Sequence, residues 1–144
     1  MFGTGEATFE RRVAALAART MIDLPWIAPL RREGLPAVGD PVTFASHQLG
    51  AWMRHACRVV EVVEEDTAQG RARGFAYGTT AWHAVAGEER FTVRWDHESD
   101  EVTYEIRRFS RPKRPLVRLF APVDRTLQVR FMRNSLQAMR RAVT

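Results

Sequence analysis

The sequence predicts an α+β fold, in which a curved antiparallel β-sheet grips a long C-terminal helix and one or two short helices come first. Three observations carry this prediction. Apolar residues near the N-terminus follow helical spacing, the middle of the chain alternates with a period of two, and no proline or glycine interrupts residues 123–142. The chain has 144 residues and no internal repeat, so we expect one domain, residues 1–144.

The composition is that of a globular protein without a membrane span. Hydrophobic residues make up 45% and charged residues 27% of the chain, and no apolar run approaches the roughly 20 residues that cross a bilayer. The N-terminal segment lacks the pattern of a signal peptide. The single Cys57 cannot form an internal disulfide. We therefore expect a cytoplasmic protein.

The first element is predicted to be a helix that Thr8 caps. The apolar face that follows has helical spacing and consists of Phe9, Val13, Leu16 and Thr20. The next stretch, MIDLPWIAPL, contains two prolines, so it is expected to form a short second helix or an irregular apolar connector.

The middle of the chain is predicted to form an antiparallel meander. The candidate strands are PVTFASHQ, HACRVVEVVEE, RARGFAYGT, RFTVRWD and VTYEIRRFS. Alternation places Phe91, Val93 and Trp95 on one face of RFTVRWD, and the same pattern recurs in VTYEIRRFS. Polar connections such as HESDE suit hairpins. Because Pro112 and Pro115 cannot donate to a ladder, SRPKRP is expected to stop the sheet.

The last segment is predicted to form a helix of about 20 residues, from Pro122 to Ala142. Its apolar residues cover two adjacent arcs, which together exceed the roughly 100° stripe of a surface helix. The first arc holds Val123, Leu127, Phe131, Ala138 and Ala142, and the second holds Val129, Met132, Leu136, Met139 and Val143. Such a helix is expected to lie in a concave partner rather than on a flat sheet.

The net charge of +5 arises in the C-terminal part of the chain, where Glu105 and Asp124 are the only acidic residues from position 105 onward. Every basic residue except Lys113 is arginine, whose planar guanidinium suits anions. We expect the anion-binding position in FSRPKRP, with Arg111 as its anchor and Arg107, Arg108, Arg114 and Arg118 around it. The alternative is a solvated face that pairs with the acidic front half. No nucleic-acid-binding signature is present, so nucleic acid is not an expected partner.

The stretch GFAYGTTAWHAVAGEERF combines groups that could perform chemistry. His83 with Glu88 or Glu89 could act as a base and its orienting group, and Tyr77 or Thr79 could hold a ligand. In the structural alternative, the glycines serve bulges and a tight turn while the aromatic residues pack in the core.

The two adjacent glutamates cannot form a paired acid–base couple, because neighbouring side chains on a strand point to opposite faces. One of Glu88 and Glu89 is expected to face inward, toward Arg58 or Arg111. A buried ion pair of that kind can be purely structural.

No metal site or cofactor is predicted. The histidines, His47, His55, His83 and His97, have no helical i, i+4 spacing and no neighbouring cysteine pair. Cys57 lies inside an apolar strand, where a thiol more often packs than reacts. The segment GTGEATF lacks the preceding strand and the Lys-Ser/Thr ending of a phosphate loop.

Several motifs occur in one order along almost the whole chain, from about Gly3 to Ala142: CRVVEVVEE, GFAYGT, GEERF, FSRP and the ending SLQAMRRA. In this combination the sequence resembles the domain-of-unknown-function family nineteen-ninety (DUF1990), which is similar to the START and pollen-allergen helix-grip proteins. The resemblance implies a helix-grip fold that holds an apolar ligand between the sheet and the C-terminal helix. The family-like positions are Cys57, Arg58, Gly74, Phe75, Tyr77, Gly78, Thr79, His83, Gly87, Glu88, Glu89, Ser110, Arg111 and Pro112.

The chain departs from the family pattern in a loop and near the N-terminus. The family usually has Leu-Pro-Gly-His-Pro-Glu where this chain has TAWHAV, residues 80–85, so the histidine is kept without its proline and glycine neighbours. Family members also tend to have residues before GTGEATF that supply an edge strand, and their absence predicts an unpaired sheet edge.

We expect non-catalytic binding of a small apolar or amphipathic molecule in a cavity between the sheet and the C-terminal helix. The candidate ligand-binding residues are Tyr77, Thr79, His83, Glu88, Glu89, Arg111 and Phe131, and no catalytic residue is assigned. The candidate walls or core are Trp52, Phe75, Tyr77, Trp82, Phe91, Trp95, Tyr104, Phe109 and Phe131. The alternatives are an enzyme that uses His83 with Glu88 or Glu89, and an interaction module that pairs through an open sheet edge.

Overall fold

Two α-helices flank a six-stranded sheet in the computed structural model, which describes residues 2–22, 24–29, 35–48, 50–79, 85–112 and 121–142. In chain order the elements are α1 (Glu6–Ala17), a 3-10 turn (Thr20–Ile22), β1 (Ile27–Pro29), β2 (Pro41–Gln48), β3 (Ala51–Asp66), β4 (Gly70–Thr79), β5 (Val85–Asp96), β6 (Val102–Pro112) and α2 (Ala121–Arg141). Helices before and after a curved antiparallel sheet confirm the predicted α+β fold class.

Every pairing in the described sheet is antiparallel, and the strands lie side by side in the order β1 to β6. The β3–β4 and β5–β6 turns are short and polar, so these strands reverse directly into their neighbours. In the β5–β6 turn, Asp96 Oδ1 accepts hydrogen bonds from the backbone N–H groups of Glu98 (3.0 Å) and Ser99 (2.8 Å). The strands predicted from the middle of the chain are confirmed as β2 to β6.

The inner face of the sheet, which packs against the helices, follows the predicted alternation. Phe75 of β4 lies beside Phe91 of β5, with ring centroids 5.7 Å apart. Val93 and Tyr104 are paired across β5 and β6 and are also buried. The register therefore assigns the odd-numbered residues of β5 and the even-numbered residues of β6 to the inner face.

On the outer face, charged side chains of β3 and β5 meet across the small residues of β4. Ala76 lies between Glu61 and Arg90 in register, and these two side chains form an ion pair of 3.1 Å. Glu65 and Arg94 form a second pair of 3.2 Å further along the same strands. Such exposed pairs contribute little to stability, but they place paired charges over the centre of this face.

The glycines of GFAYG allow close strand contacts rather than forming a turn or a bulge. A Cβ atom on Gly74 would lie 2.2 Å from the carbonyl oxygen of Phe91, and one on Gly78 would lie 3.2 Å from Val60 Cγ1. The β-bulge falls at Val60, in the neighbouring strand β3.

Helix α1 begins before Thr8, so the predicted cap is wrong. The N-terminal segment pairs with Val102 at the start of β6. The N–H of Phe2 donates to the carbonyl oxygen of Val102 (2.7 Å), and the N–H of Val102 donates to the carbonyl oxygen of Gly3 (2.8 Å). The chain then turns directly into the helix at Gly5, whose φ of 83° suits a residue without a side chain. This early pairing fixes where α1 starts.

Helix α1 is held on the inner face near the β3–β4 turn. Phe9 is fully buried, 6.1 Å from Trp95 between ring centroids, and the guanidinium of Arg71 lies 4.9 Å from the Phe9 ring. Arg71 also forms ion pairs with Glu6 (3.2 Å) and Glu10 (2.9 Å) on the same helix. Apolar burial and these ion pairs together fix the position of α1.

The connector after α1 covers more of the inner face, with a 3-10 turn in place of a second α-helix. Met21 and Ile22 of this turn are buried, and Trp26 packs edge-on against Phe131 of α2 with ring centroids 6.2 Å apart. The connector then forms β1, which pairs with β2 and was not predicted.

The described strand β6 ends at Pro112, inside the SRPKRP segment that was expected to stop the sheet, although Pro112 itself still pairs with Val85. Val102 directs both backbone groups away from β5, toward Phe2 and Gly3. Because these groups alternate along a strand, the nitrogen of Pro112 also points away from β5. Its missing N–H therefore removes no ladder bond, as proline requires on an edge strand.

Helix α2 buries a stripe with a spacing of four, formed by Phe131, Ser135 and Met139. The predicted helix is confirmed to within one residue at each end. The prediction that both apolar arcs are covered is wrong, because Val129 is 51% exposed. The narrower stripe fits a helix with one side against the inner face and the connector and the other side in solvent.

Arg12 joins the two helices and the N-terminal segment. Its buried guanidinium donates hydrogen bonds to the carbonyl oxygens of Met139 and, at 2.9 Å, of Phe2. The last carbonyl groups of a helix have no partner within it, so a cation at this position stabilises the C-terminus of α2. Arg12 therefore holds the end of α2 against α1.

Replacing Arg12 by methionine is expected to lower the free energy of unfolding by about 2–4 kcal/mol, because two buried carbonyl groups lose their donor. Urea denaturation followed by circular dichroism measures the change. The matched control, Arg11→Met, removes an exposed guanidinium from the same helix and is expected to change stability by about 0.5 kcal/mol or less. Equal effects of the two substitutions would contradict the role assigned to Arg12.

Candidate functional site

The predicted ligand-binding residues do not all reach the interior. Tyr77 and Glu89 lie on the inner face and are buried, and Phe131 is buried on α2 opposite them. Glu88 is exposed on the outer face. The expectation that Glu88 and Glu89 face opposite ways, with one inward, is therefore confirmed.

Three of the other candidates cannot be placed by their side chains. Thr79 ends β4 and Arg111 lies next to the end of β6, where the structure describes only the backbone. His83 lies outside the described residues, together with the loop at residues 80–84.

The aromatic candidates divide between core and surface. Phe75, Tyr77, Phe91, Tyr104 and Phe131 are buried, and Trp95 is half-buried. Trp52 and Phe109 are 59% and 60% exposed, so their assignment to a wall or core is wrong. Phe109 is exposed because it is an odd-numbered residue of β6 and so lies on the outer face. Trp82 lies outside the described residues.

A hydrogen bond between Tyr77 and Glu89 forms the centre of the candidate site. The two residues are direct partners across β4 and β5, and the Tyr77 hydroxyl lies 2.5 Å from Glu89 Oε2. Both side chains are buried, Glu89 with 7% exposure. Burial raises the pKa of Glu89 and raises that of Tyr77 well above its ordinary value, because each charged form loses its hydration.

The second carboxyl oxygen, Glu89 Oε1, has no hydrogen-bond partner among the described residues. A buried polar atom in this state costs about 1–3 kcal/mol. Folded proteins satisfy the large majority of such atoms, so this carboxyl oxygen, like the buried nitrogens Arg19 Nη1 and Trp26 Nε1, calls for an explanation.

Arg108 is the charged neighbour of this carboxyl group. It is the direct partner of Glu89 across β5 and β6, on the same face, and it acts to lower the pKa of Glu89 against the larger effect of burial. Within the described residues no ion pair joins the two side chains. Arg58, one of the expected partners, is exposed and donates instead to the carbonyl of Gly39 at 3.3 Å.

Cys57 lies on the same face and interacts electrostatically with Glu89. Burial, together with the nearby carboxyl group, raises the pKa of the Cys57 thiol to about 11. A thiol in this state is protonated near neutral pH and is a poor nucleophile. Cys57, Tyr77, Glu89 and Arg108 are called the Glu89 cluster below.

Helix α2 reaches the same interior through polar and aromatic contacts. The hydroxyl groups of Tyr104 and the fully buried Ser135 are 3.3 Å apart. Phe131 lies edge-on to Phe91, with ring centroids 6.4 Å apart. The Glu89 cluster thus lies at the end of an aromatic interior, away from the β3–β4 turn where α1 packs.

Sequence reasoning missed Ser135 and named Arg108 only as one of the arginines around the expected anion site, not as a neighbour of Glu89. Arg108 continues the face assigned to Val102 and Tyr104, so the two-residue alternation already contained the signal. Ser135 lies four residues from both Phe131 and Met139, on the same side of the helix. It was missed because only apolar residues were used to find the buried side.

The site contains hydrogen-bonding groups and aromatic surface but no activated nucleophile among the described residues. No helix in the described part of the chain is long and apolar enough to cross a membrane.

These features define an α+β protein whose antiparallel sheet holds a C-terminal helix over a partly polar interior. The family model described as "Domain of unknown function (DUF1990)" matches residues 1–138. The chain therefore belongs to the DUF1990 family, as its motifs predicted. No solved structure matches it.

Relatives from three kingdoms of life share most of this chain. A "UPF0548 protein" of Dictyostelium discoideum is 34% identical over 148 residues, which cover 98% of this chain and 68% of the relative. A "UPF0548 protein" of Deinococcus radiodurans is 32% identical, covering 97% and 73%. One of Arabidopsis thaliana is 28% identical, covering 96% and 68%.

Replacing Glu89 by glutamine is expected to change how stability depends on pH. The pKa of Glu89 is higher in the folded protein than in the unfolded chain. The contribution of this carboxyl group to the free energy of unfolding is therefore complete at pH values below the unfolded-state pKa, and it is lost as the pH rises through the folded-state pKa. In that window the wild type should lose about 1.4 kcal/mol per pH unit relative to Glu89→Gln. Urea denaturation across a pH series measures this difference.

The matched control is Glu88→Gln, which changes the neighbouring exposed carboxyl group on the outer face. It should follow the wild-type pH profile. If the Glu89→Gln and wild-type profiles run parallel, the buried carboxyl group does not titrate as described here.

Proposed function

We propose that the chain is a single domain that binds a small apolar or amphipathic molecule between the inner face of the sheet and α2, without catalysing a reaction. The observation that carries the proposal is the buried Glu89 oxygen without a hydrogen-bond partner among the described residues. A bound molecule with a matching polar group would remove the cost of that atom. The Glu89 cluster is therefore the proposed polar end of the site.

The aromatic side chains beside the cluster are the proposed apolar part of the site. Phe91 is in contact with Tyr77 and with Phe131, at centroid distances of 5.8 and 6.4 Å. Ligand pockets are mostly apolar and contain a few polar groups that fix orientation. The Glu89 carboxyl group and the Tyr77 hydroxyl group, next to these packed aromatic rings, match this composition.

Thr79 and His83 stay proposed contacts of the ligand, and Thr79 follows Tyr77 by two residues on β4. Arg111, also expected to bind the ligand, is an odd-numbered residue of β6 paired with Ala86, so its position belongs to the outer-face set. If His83 serves instead as a catalytic base, Glu89 rather than Glu88 is the partner that burial supports. That enzyme alternative predicts loss of turnover in His83→Ala with an almost unchanged melting temperature.

A second candidate, an interaction module, is favoured by the outer edge of β6. Strand β6 is last in the described sheet, and Phe2 to Thr4 pair only with its start, at Glu101 and Val102. From Tyr104 onward, alternate backbone groups point away from β5. Arginines along this strand oppose pairing with a second copy, since like charges would face each other. Concentration-dependent dimerisation in sedimentation experiments would support this candidate.

Protein purified without detergent or organic solvent is expected to carry a small molecule in native mass spectrometry. Glu89→Leu should reduce the bound fraction, because it removes the polar end of the site. Glu88→Leu, a change on the outer face, should retain it. A wild-type spectrum without an adduct, together with a fully packed crystal interior, would refute the binding proposal.

A further inference from the structure

The class of ligand depends on which group Glu89 presents to it. Tyr77 keeps its proton, because burial raises its pKa well above the ordinary value, so its hydroxyl group donates to Glu89 Oε2. Burial also favours the neutral form of Glu89. In this neutral form, with Oε2 accepting from Tyr77, the carboxyl proton lies on Oε1, the atom without a partner among the described residues. In that form Glu89 presents a hydrogen-bond donor.

The charge around this donor is positive. Among the described residues, the titratable groups that interact electrostatically with Glu89 are Cys57, Tyr77, Tyr104 and Arg108. The thiol and both tyrosine hydroxyl groups are neutral when protonated, which leaves Arg108 as the charge. Its guanidinium is exposed, and among the described side chains of α2 the neutral Ser135 hydroxyl reaches the cluster through Tyr104.

We infer that the ligand is a carboxylic acid with an apolar tail, whose carboxylate accepts a hydrogen bond from Glu89 Oε1 and pairs with the Arg108 guanidinium. This inference rests on the proposed ligand-binding function. The apolar tail of the ligand would lie along Phe91, whose ring packs against Tyr77 of the cluster, and along Phe131, whose ring packs against Phe91. A hydrogen bond from a carboxylic acid to a carboxylate is charge-assisted, and the arginine fork adds a second contact of that kind.

Other head groups match these atoms less well. An ammonium group cannot accept the Glu89 proton and is repelled by Arg108. An alcohol can accept the proton but has no charge for the guanidinium. Binding of a carboxylate also favours retention of the Glu89 proton, because two carboxylates at one site repel each other. Affinity for the acid should therefore fall as pH rises through the Glu89 pKa.

Three probes with the same tail test the head group: decanoate, decanol and decylamine. Isothermal titration calorimetry on the full chain is expected to show decanoate binding about tenfold more tightly than decanol, with decylamine weakest. Arg108→Gln should reduce this preference for decanoate and leave decanol binding unchanged. Arg107→Gln is the matched control, because Arg107 lies on the outer face and pairs with Glu105 at 2.6 Å.

A pH series separates the role of Glu89 from that of Arg108. Glu89→Gln keeps a donor at this position, so it should still bind decanoate but lose the fall in affinity with rising pH. Because Arg108 is exposed, Arg108→Gln should fold even where changes at Glu89 do not. Decanol or decylamine binding as tightly as decanoate would overturn the carboxylic-acid inference and leave ligand binding standing. No saturable binding by any probe would overturn both.

Discussion

The in-register alternation of β4, β5 and β6 is the constraint on which the interior depends. It places Phe75, Phe91 and Tyr104 on one face, and the same periodicity carries Glu89 inward beside them. A one-residue slip would send the aromatic residues to the surface and release the carboxyl group into water. The burial of Glu89 is therefore not a local accident; it follows from the pattern that builds the core.

Two of the buried ionisable groups, Arg12 and Glu89, are satisfied to different degrees. Arg12 donates to two carbonyl oxygens and stabilises the end of α2, so its burial has a structural explanation. Glu89 has one oxygen bound to Tyr77 and one without a partner among the described residues. Replacing such a group by a hydrophobic residue often stabilises a protein. The proposed role in binding would explain why the costlier residue is present.

The fold was largely predictable from the sequence, whereas the site was only partly so. Alternation and helix spacing located β2 to β6, α1 and α2, because each repeats over many residues. The start of α1 and the last pair of β6 were missed because they depend on backbone pairing, at Phe2 and Pro112, rather than on side-chain pattern. Tyr77 and Glu89, both named from the sequence, lie together in the interior. Arg108 was named only among the arginines around Arg111, because a motif match was followed instead of the face that Tyr104 defines.

The state of the Glu89 carboxyl group is the central claim, and an NMR titration of its side-chain carbon tests it most directly. The signal can be assigned by its absence in Glu89→Gln. We expect the midpoint of this titration to lie above the ordinary glutamate pKa of about 4.3, and to rise further when decanoate is added. A midpoint at the ordinary value would show a hydrated carboxylate and would contradict both the buried donor and the ligand class inferred from it.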